Sequence, residues 1–152
     1  MRTLAAGHYG FDDVALDDRI ETAPLTVTSA MIDAFADLTG DHFEIHDSDA
    51  AAQRHGFSAR VAHGLLVLSL IDGLKNQCPA QLRAIASLGW EWSFRAPVLC
   101  NDTIQATLTV VEKRPTSRPE RGILRLEVVA LNQRAEVVQR GHNLLMVYRA
   151  PR

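Results

Sequence analysis

At 152 residues and 16.8 kDa, with 47% apolar and 22% charged residues, the sequence is long and apolar enough for one ordinary globular domain, expected to span residues 1–152. A formal net charge of −2 excludes a nucleic-acid binder that works by bulk charge; it leaves room for no more than a local basic patch, so no nucleic-acid partner is expected. The longest apolar run, residues 65–71, is far too short to cross a bilayer, and no N-terminal stretch combines basic residues with an apolar run, so no membrane partner and a cytoplasmic location are expected.

In chain order, "TVTSAMIDAFADLTGD" (residues 26–41) predicts a short helix. Thr28 or Ser29 can accept a hydrogen bond from an orphan N–H at its start, and Gly40 suits the position just past its end. Ile32, Phe35 and Ala36 form its apolar face, with Leu38 a little off the stripe. "DSDAAAQRHG" (47–56) predicts a second short helix, capped by Asp47 or Ser48 and stopped at Gly56. In "ARVAHGLLVLSLIDGLKNQCP" (59–79) the apolar residues from Leu65 to Leu74 run nearly all the way round, the mark of a buried helix, and Pro79 ends the segment.

After residue 80 the period changes to two. "IASLGWEWSFRAPV" (85–98) sets Trp90, Trp92 and Phe94 against Glu91, Ser93 and Arg95, and core packing is the favoured reading of the three aromatics. "DTIQATLTVV" places Ile104, Ala106, Leu108 and Val110 on one face, and "GILRLEVVAL" does the same with Leu124, Leu126, Val128 and Ala130. "EVVQRGHNLLMVY" is a third, less regular strand reached by a turn near "NQR". The basic stretch "EKRPTSRPERG" (112–122), with Lys113, Arg114, Arg118 and Arg121, reads as a solvated hairpin loop. Short connections imply an antiparallel sheet, and one apolar helix with one such sheet gives an α+β layer. Cys78 and Cys100 form no CxxC pair and read as inert.

Acids and imidazoles crowd into "LTGDHFEIHDSD" (38–49). His42 and His46 stand four apart, as two metal ligands on one helix face would. However, Gly40 has just ended the helix, the row reads H-F-E-I-H rather than H-E-x-x-H, and no cysteine is close in sequence, so no metal is expected. Asp41 after one helix and Asp47 before the next are also ordinary turn and cap positions, and that reading stays open.

The combination of Gly40-Asp41 with His46 five residues after the acid, then "GFSARVAHGLLVLSL" and "SLGWEWSFRAPVLCNDTI", resembles the MaoC-like dehydratases, the (R)-specific enoyl-CoA hydratases of hot-dog fold, over roughly residues 8–148. The resemblance implies a single α+β hot-dog domain, its antiparallel sheet wrapped around a buried central helix. It also implies reversible (R)-specific addition of water to a 2-enoyl-CoA without a cofactor, in a homodimer or higher homo-oligomer. Asp41 and His46 would be the acid/base pair on a shared water, one accepting a proton and the other donating it. Gly64 opens the apolar helix, where first-turn N–H groups are unpaired and the helix dipole favours an anion; a thioester oxygen could approach there. Relief of crowding at a helix start is the other reading of Gly64.

Phe43, His63, Asp72 and Trp90 are the remaining candidate substrate-side residues. Phe43-Glu44 stands where many members have Asn-Pro, which bears on acyl specificity. Asp72 matches a serine of some members and would make the site floor polar; with Phe43 and Trp90 it points to a short or polar acyl group. His63 is expected to fix the loop by a hydrogen bond. Two alternatives remain: a hot-dog thioesterase, for which Asp72 on the central helix is the candidate acid, and a non-catalytic acyl-thioester-binding protein. The other reading of the basic stretch at 112–122 is that it meets coenzyme A phosphates, across a subunit interface, instead of solvent.

Overall fold

The alternating segments do become strands, and they are long. In a computed structural model, which describes residues 1–149, β1 (Arg2–Thr3), β2 (Gly7–Tyr9), β3 (Asp18–Glu21) and β4 (Leu25–Thr26) precede the helices α1 (Ser29–Thr39), α2 (Asp49–Arg54) and α3 (Gly64–Lys75). Then follow β5 (Ala80–Leu82), β6 (Ala84–Phe94), β7 (Thr103–Pro115), β8 (Arg121–Leu131) and β9 (Val137–Tyr148). The main sheet runs β1-β3-β7-β8-β9-β6 with β4 also beside β7; every neighbouring pair is antiparallel except β1 and β3. β2 and β5 make a small parallel ladder.

The inward residues of β7 and β8 are those the alternation assigns: Ile104, Ala106, Leu108 and Val110, then Leu124, Leu126, Val128 and Ala130, all buried. α3 lies across this face and buries Leu66, Val67, Ile71 and Leu74, each contributing about 2 kcal/mol of apolar transfer. Thr28 caps α1 by accepting from the Met31 N–H, Ser48 caps α2 from the Ala51 N–H, and Gly40 takes the left-handed conformation (φ 78°) that ends α1.

The helix α3 is more one-sided than its composition suggests. Leu65 is 60% exposed, and Leu66 and Leu70 line an open apolar groove together with Met31, Phe35 and Leu38 of α1, so not all of the apolar residues of α3 face the core. The expected solvated hairpin loop at 112–122 is a hairpin with mostly exposed residues, but its loop is shorter than expected. β7 and β8 continue through most of it, leaving residues 116–120 as the tip, and Lys113 donates to the Val14 carbonyl with its ammonium over the Phe11 ring. Phe94, read as core, is 58% exposed. Cys78 is buried, and burial pushes its thiol upward in pKa. Among the described residues no helix is long and apolar enough to cross a membrane.

Candidate active site

Because Gly40 turns the chain sharply, Asp41 emerges from the end of α1 into a short turn, where its carboxylate accepts the Phe43 N–H (3.2 Å). One 3-10 turn, Glu44–His46, then delivers His46 to the interior. The His46 ring is 8% exposed, and its Nδ1 lies 2.7 Å from the Val61 carbonyl. A carbonyl can only accept, so Nδ1 carries the proton and Nε2 of the neutral ring offers a bare lone pair. Burial lowers the His46 pKa from the ordinary imidazole value; the Val61 bond and the charges of Asp41 and Asp47 oppose that, while His63 adds to it. The main chain of His46 is held too. The buried Arg60 guanidinium donates to the His46 carbonyl and to Asp33 of α1, and the Arg60 N–H donates to Asp49 of α2 (2.8 Å).

His63, the last residue before α3, lies against this arrangement. Its ring stacks on His46 with centroids 3.8 Å apart and planes 24° apart, and its Nε2 is 2.9 Å from the Asp41 carbonyl. Ligand-type atoms of Asp41, His46 and His63 all lie within 4.8 Å of one another. Two imidazoles and a carboxylate could in principle hold zinc. But face-to-face rings send their in-plane lone pairs side by side instead of converging on one ion. The set fits a small hydrogen-bonding molecule such as water better than a metal. Treatment with a chelator is therefore expected to leave activity unchanged; a loss restored by zinc would contradict this. His42 is not part of the group, being turned to Asp37 (3.3 Å) and Asp47 (3.7 Å) at the surface.

Gly64 starts α3, and its N–H has no acceptor among the described residues. The Phe94 ring covers it so closely that an added Cβ would come within 2.6 Å of the ring, so relief of crowding and a free donor hold together at this position. Behind it the Gly64 carbonyl accepts from Gln139 Nε2 (3.0 Å), whose Oε1 accepts from Trp92 Nε1–H (2.8 Å), which ties the helix start to β6 and β9. His46, Gly64, Phe94, Arg95, Val98 and Gln139 are among the residues that line one cleft of about 320 Å³. Arg95 has no hydrogen-bond or ion-pair partner for its side chain among the described residues.

A family model described as the MaoC like domain matches residues 13–131. The chain belongs to the MaoC-like family. The MaoC-like chain is 38% identical over 112 residues to Protein MaoC of Klebsiella aerogenes, covering 73% of this chain and 32% of that protein. It is 32% identical over 114 residues to the (R)-specific enoyl-CoA hydratase of Rhodospirillum rubrum, covering 73% of this chain and 75% of that protein. It spans less than two thirds of several relatives' own length. The solved MaoC-like dehydratase of Rhodospirillum rubrum superposes with a TM-score of 0.82 at 30% identity, over 95% of this chain and 99% of that one. A Mycobacterium tuberculosis protein described as having a double hotdogfold gives 0.82 at 20% identity over 97% of this chain and 46% of that one. The MaoC-like chain has the hot-dog fold.

The remaining candidates of the MaoC-like chain fall in different places. Phe43 is half exposed and edge-on to His46, with centroids 6.1 Å apart. Glu44 bonds to His55 and pairs with Arg54 (3.5 Å), clamping the 3-10 turn to α2; the His55 hydrogen bond holds its carboxyl below the usual range. Asp72 and Trp90 lie outside the cleft. Asp72 is 2.7 Å from the buried Lys75 ammonium, and Trp90 packs edge-on to Trp92 beneath that ammonium. The cleft's polar wall is supplied instead by Gln139. Sequence reasoning passed over Gln139, although the alternation that sends Leu145 and Val147 inward assigns it to the same face. Arg60 gave no such signal, because its partners lie 14 and 27 residues away.

Proposed function

We propose that the chain is an (R)-specific hydratase/dehydratase that adds water reversibly to a 2-enoyl-CoA, with Asp41 and His46 on a shared water and the Gly64 N–H facing the thioester oxygen. The observation that carries this reading is a His46 ring nitrogen within 4.8 Å of an Asp41 carboxylate oxygen, beside a cleft lined by His46 and by Gly64, whose helix-start N–H has no acceptor among the described residues. In the hydration direction His46 Nε2 takes a proton from the water as its oxygen bonds to C3. Asp41 accepts a hydrogen bond from the water's other O–H, whose hydrogen stays on the product hydroxyl, and stabilises the imidazolium. Electrons of the C2–C3 double bond move toward the thioester oxygen, where the Gly64 N–H and the start of α3 stabilise the charge. A proton returned from the Asp41–His46 pair to C2 on the same face completes syn addition. The enoyl-CoA hydratase and dehydratase relatives support this reaction class.

The unpaired Arg95 at the cleft is suited to an anionic part of the substrate, such as a coenzyme A phosphate. Its replacement by Ala is expected to raise KM by about tenfold with kcat little changed; an unchanged KM would remove it from the binding surface. The thioesterase reading loses its candidate acid, since Asp72 is engaged by Lys75 away from the cleft. Release of free thiol from an enoyl-CoA at the rate of double-bond loss would restore it. Among the described residues β6 ends the sheet and has no partner on its far side, while Leu88 and Phe94 are exposed; a second copy pairing there is proposed, and light scattering at the mass of one chain would exclude it.

Neutral His46 is the form that accepts the proton, and burial lowers its pKa. As pH falls, kcat/KM should hold through the ordinary imidazole value of about 6.5 and decline only below it. Asp41→Asn removes a charge that raises the His46 pKa, so the acid limb of the residual activity should move lower still. An acid limb at or above the ordinary value would contradict the lowered His46 pKa, and activity lost instead as pH rises through that range would mean that His46 works as imidazolium.

A further inference from the structure

His63 touches both halves of the proposed acid/base pair, yet the hydration scheme gives it no step. It is 2% exposed, its Nε2 meets the Asp41 main-chain carbonyl at 2.9 Å, and one ring face lies on His46 while Phe35 packs beside it with centroids 4.9 Å apart. The Asp41 carbonyl can only accept, so Nε2 of His63 is the donor, and Nδ1 of the neutral ring is left as a lone pair. That Nδ1 is buried and has no hydrogen-bond partner among the described residues. A histidine kept only to fill space could be replaced by an apolar ring with no such orphan; leaving a buried acceptor unpaired is costly. His63 offers a ring nitrogen to the same cluster as Asp41 and His46.

We propose that His63 is a positioning residue of the hydratase site, holding the Asp41 carbonyl with its Nε2–H and the His46 imidazole with its ring face. The proposal rests on the function argued above. Asp41 leaves α1 at a left-handed glycine and stands exposed at the surface, and among the described residues its backbone is otherwise tied only by an N–H bond to the Thr39 hydroxyl (3.2 Å). Without the His63 bond the Asp41 carboxylate loses its fixed distance from His46. Without the ring face, the buried His46 ring can turn about its single Val61 bond. Since His63 directly precedes Gly64, the same residue also sets both groups against the start of α3.

Two substitutions separate the contacts. His63→Gln keeps an N–H donor at the reach of Nε2 and loses the ring face; His63→Phe keeps the ring and loses the donor. Each is expected to lower kcat for crotonyl-CoA by about tenfold or more with KM within about twofold, and to add little further loss in a His46→Gln background, because His63 acts through that residue. Equal fractional losses in the wild-type and His46→Gln backgrounds would overturn the proposal. A second measurement needs neither a variant nor activity: ¹⁵N NMR of histidine-labelled wild-type protein should show His63 protonated on Nε2 and bare on Nδ1, and His46 in the opposite tautomer. A His63 ring protonated on Nδ1 overturns the proposal whatever the kinetics. Wild-type protein that shows these tautomers but leaves every enoyl-CoA unchanged defeats the hydratase reading instead. In that case the positioning role stands or falls on whether the His46 ring signals shift in His63→Phe and His63→Gln.

Discussion

Asp41→Asn and His46→Gln should each lower kcat by roughly 100-fold or more, with a smaller effect on substrate binding. Asn keeps the shape of Asp41 but neither its charge nor its affinity for a proton. Gln keeps a polar group near Val61 but has no nitrogen that can take up a proton and return it. Both residues would act on one water, so removing either disables the same transition state. The double variant should then be little worse than either single one, and the remaining rate, supplied by the Gly64 N–H and by binding, should still exceed the uncatalysed rate. Kinetics of the three variants decide this. Losses that multiply would mean independent residues, and no loss at all would return Asp41 to the role of an ordinary turn residue.

Gly141→Ala should cost about 3–5 kcal/mol of stability, a large share of the roughly 5–15 kcal/mol that holds a domain together. Gly141 of β9 sits between Trp92 of β6 and Val128 of β8. A Cβ there would overlap the Glu91 main-chain oxygen and come within 2.8 Å of the Trp92 ring. Neither neighbour can swing aside, since one is backbone in a sheet and the other is the indole that donates to Gln139. Relief therefore means parting β6 from β9. Thermal unfolding should show the midpoint lowered by about 10 °C. Gly73→Ala is the matched control: inside α3 an added Cβ meets nothing within 4 Å, so it should stabilise by about 0.5–1 kcal/mol. Equal midpoints for the two variants would show that the close approach at Gly141 is relieved by small shifts.

How much of this could be read in the chain differs by element. The period-2 residues of β7 and β8 project inward as their alternation dictates, because in a half-buried sheet one face must be apolar. β1 and β4 have two residues each, too few to carry any period, and they form only because longer strands offer them an edge. The all-round apolar character of α3 did not say which side would meet the sheet; Leu66, Val67, Ile71 and Leu74 are buried while Leu65 is exposed. At the site, the spacing of Asp41, His46 and the His63-Gly64 dipeptide carried the resemblance. The stacking of His63 on His46 could not be read, since it depends on a 3-10 turn and a helix start 17 residues apart meeting in space. Asp72 shows the converse: its position on the central helix suggested a polar floor, but an ion pair three residues long in sequence keeps it on Lys75.

The central claim is the addition of water to an enoyl thioester at this cleft, and its most direct measurement follows the enoyl-thioester absorbance of crotonyl-CoA with wild-type and His46→Gln protein, with chiral analysis of the product. The account predicts loss of absorbance with wild type, no free thiol, a product of (R) configuration at C3, and a rate roughly 100-fold or more lower with His46→Gln. Formation of the (S) product, or equal rates with the two proteins, would contradict it.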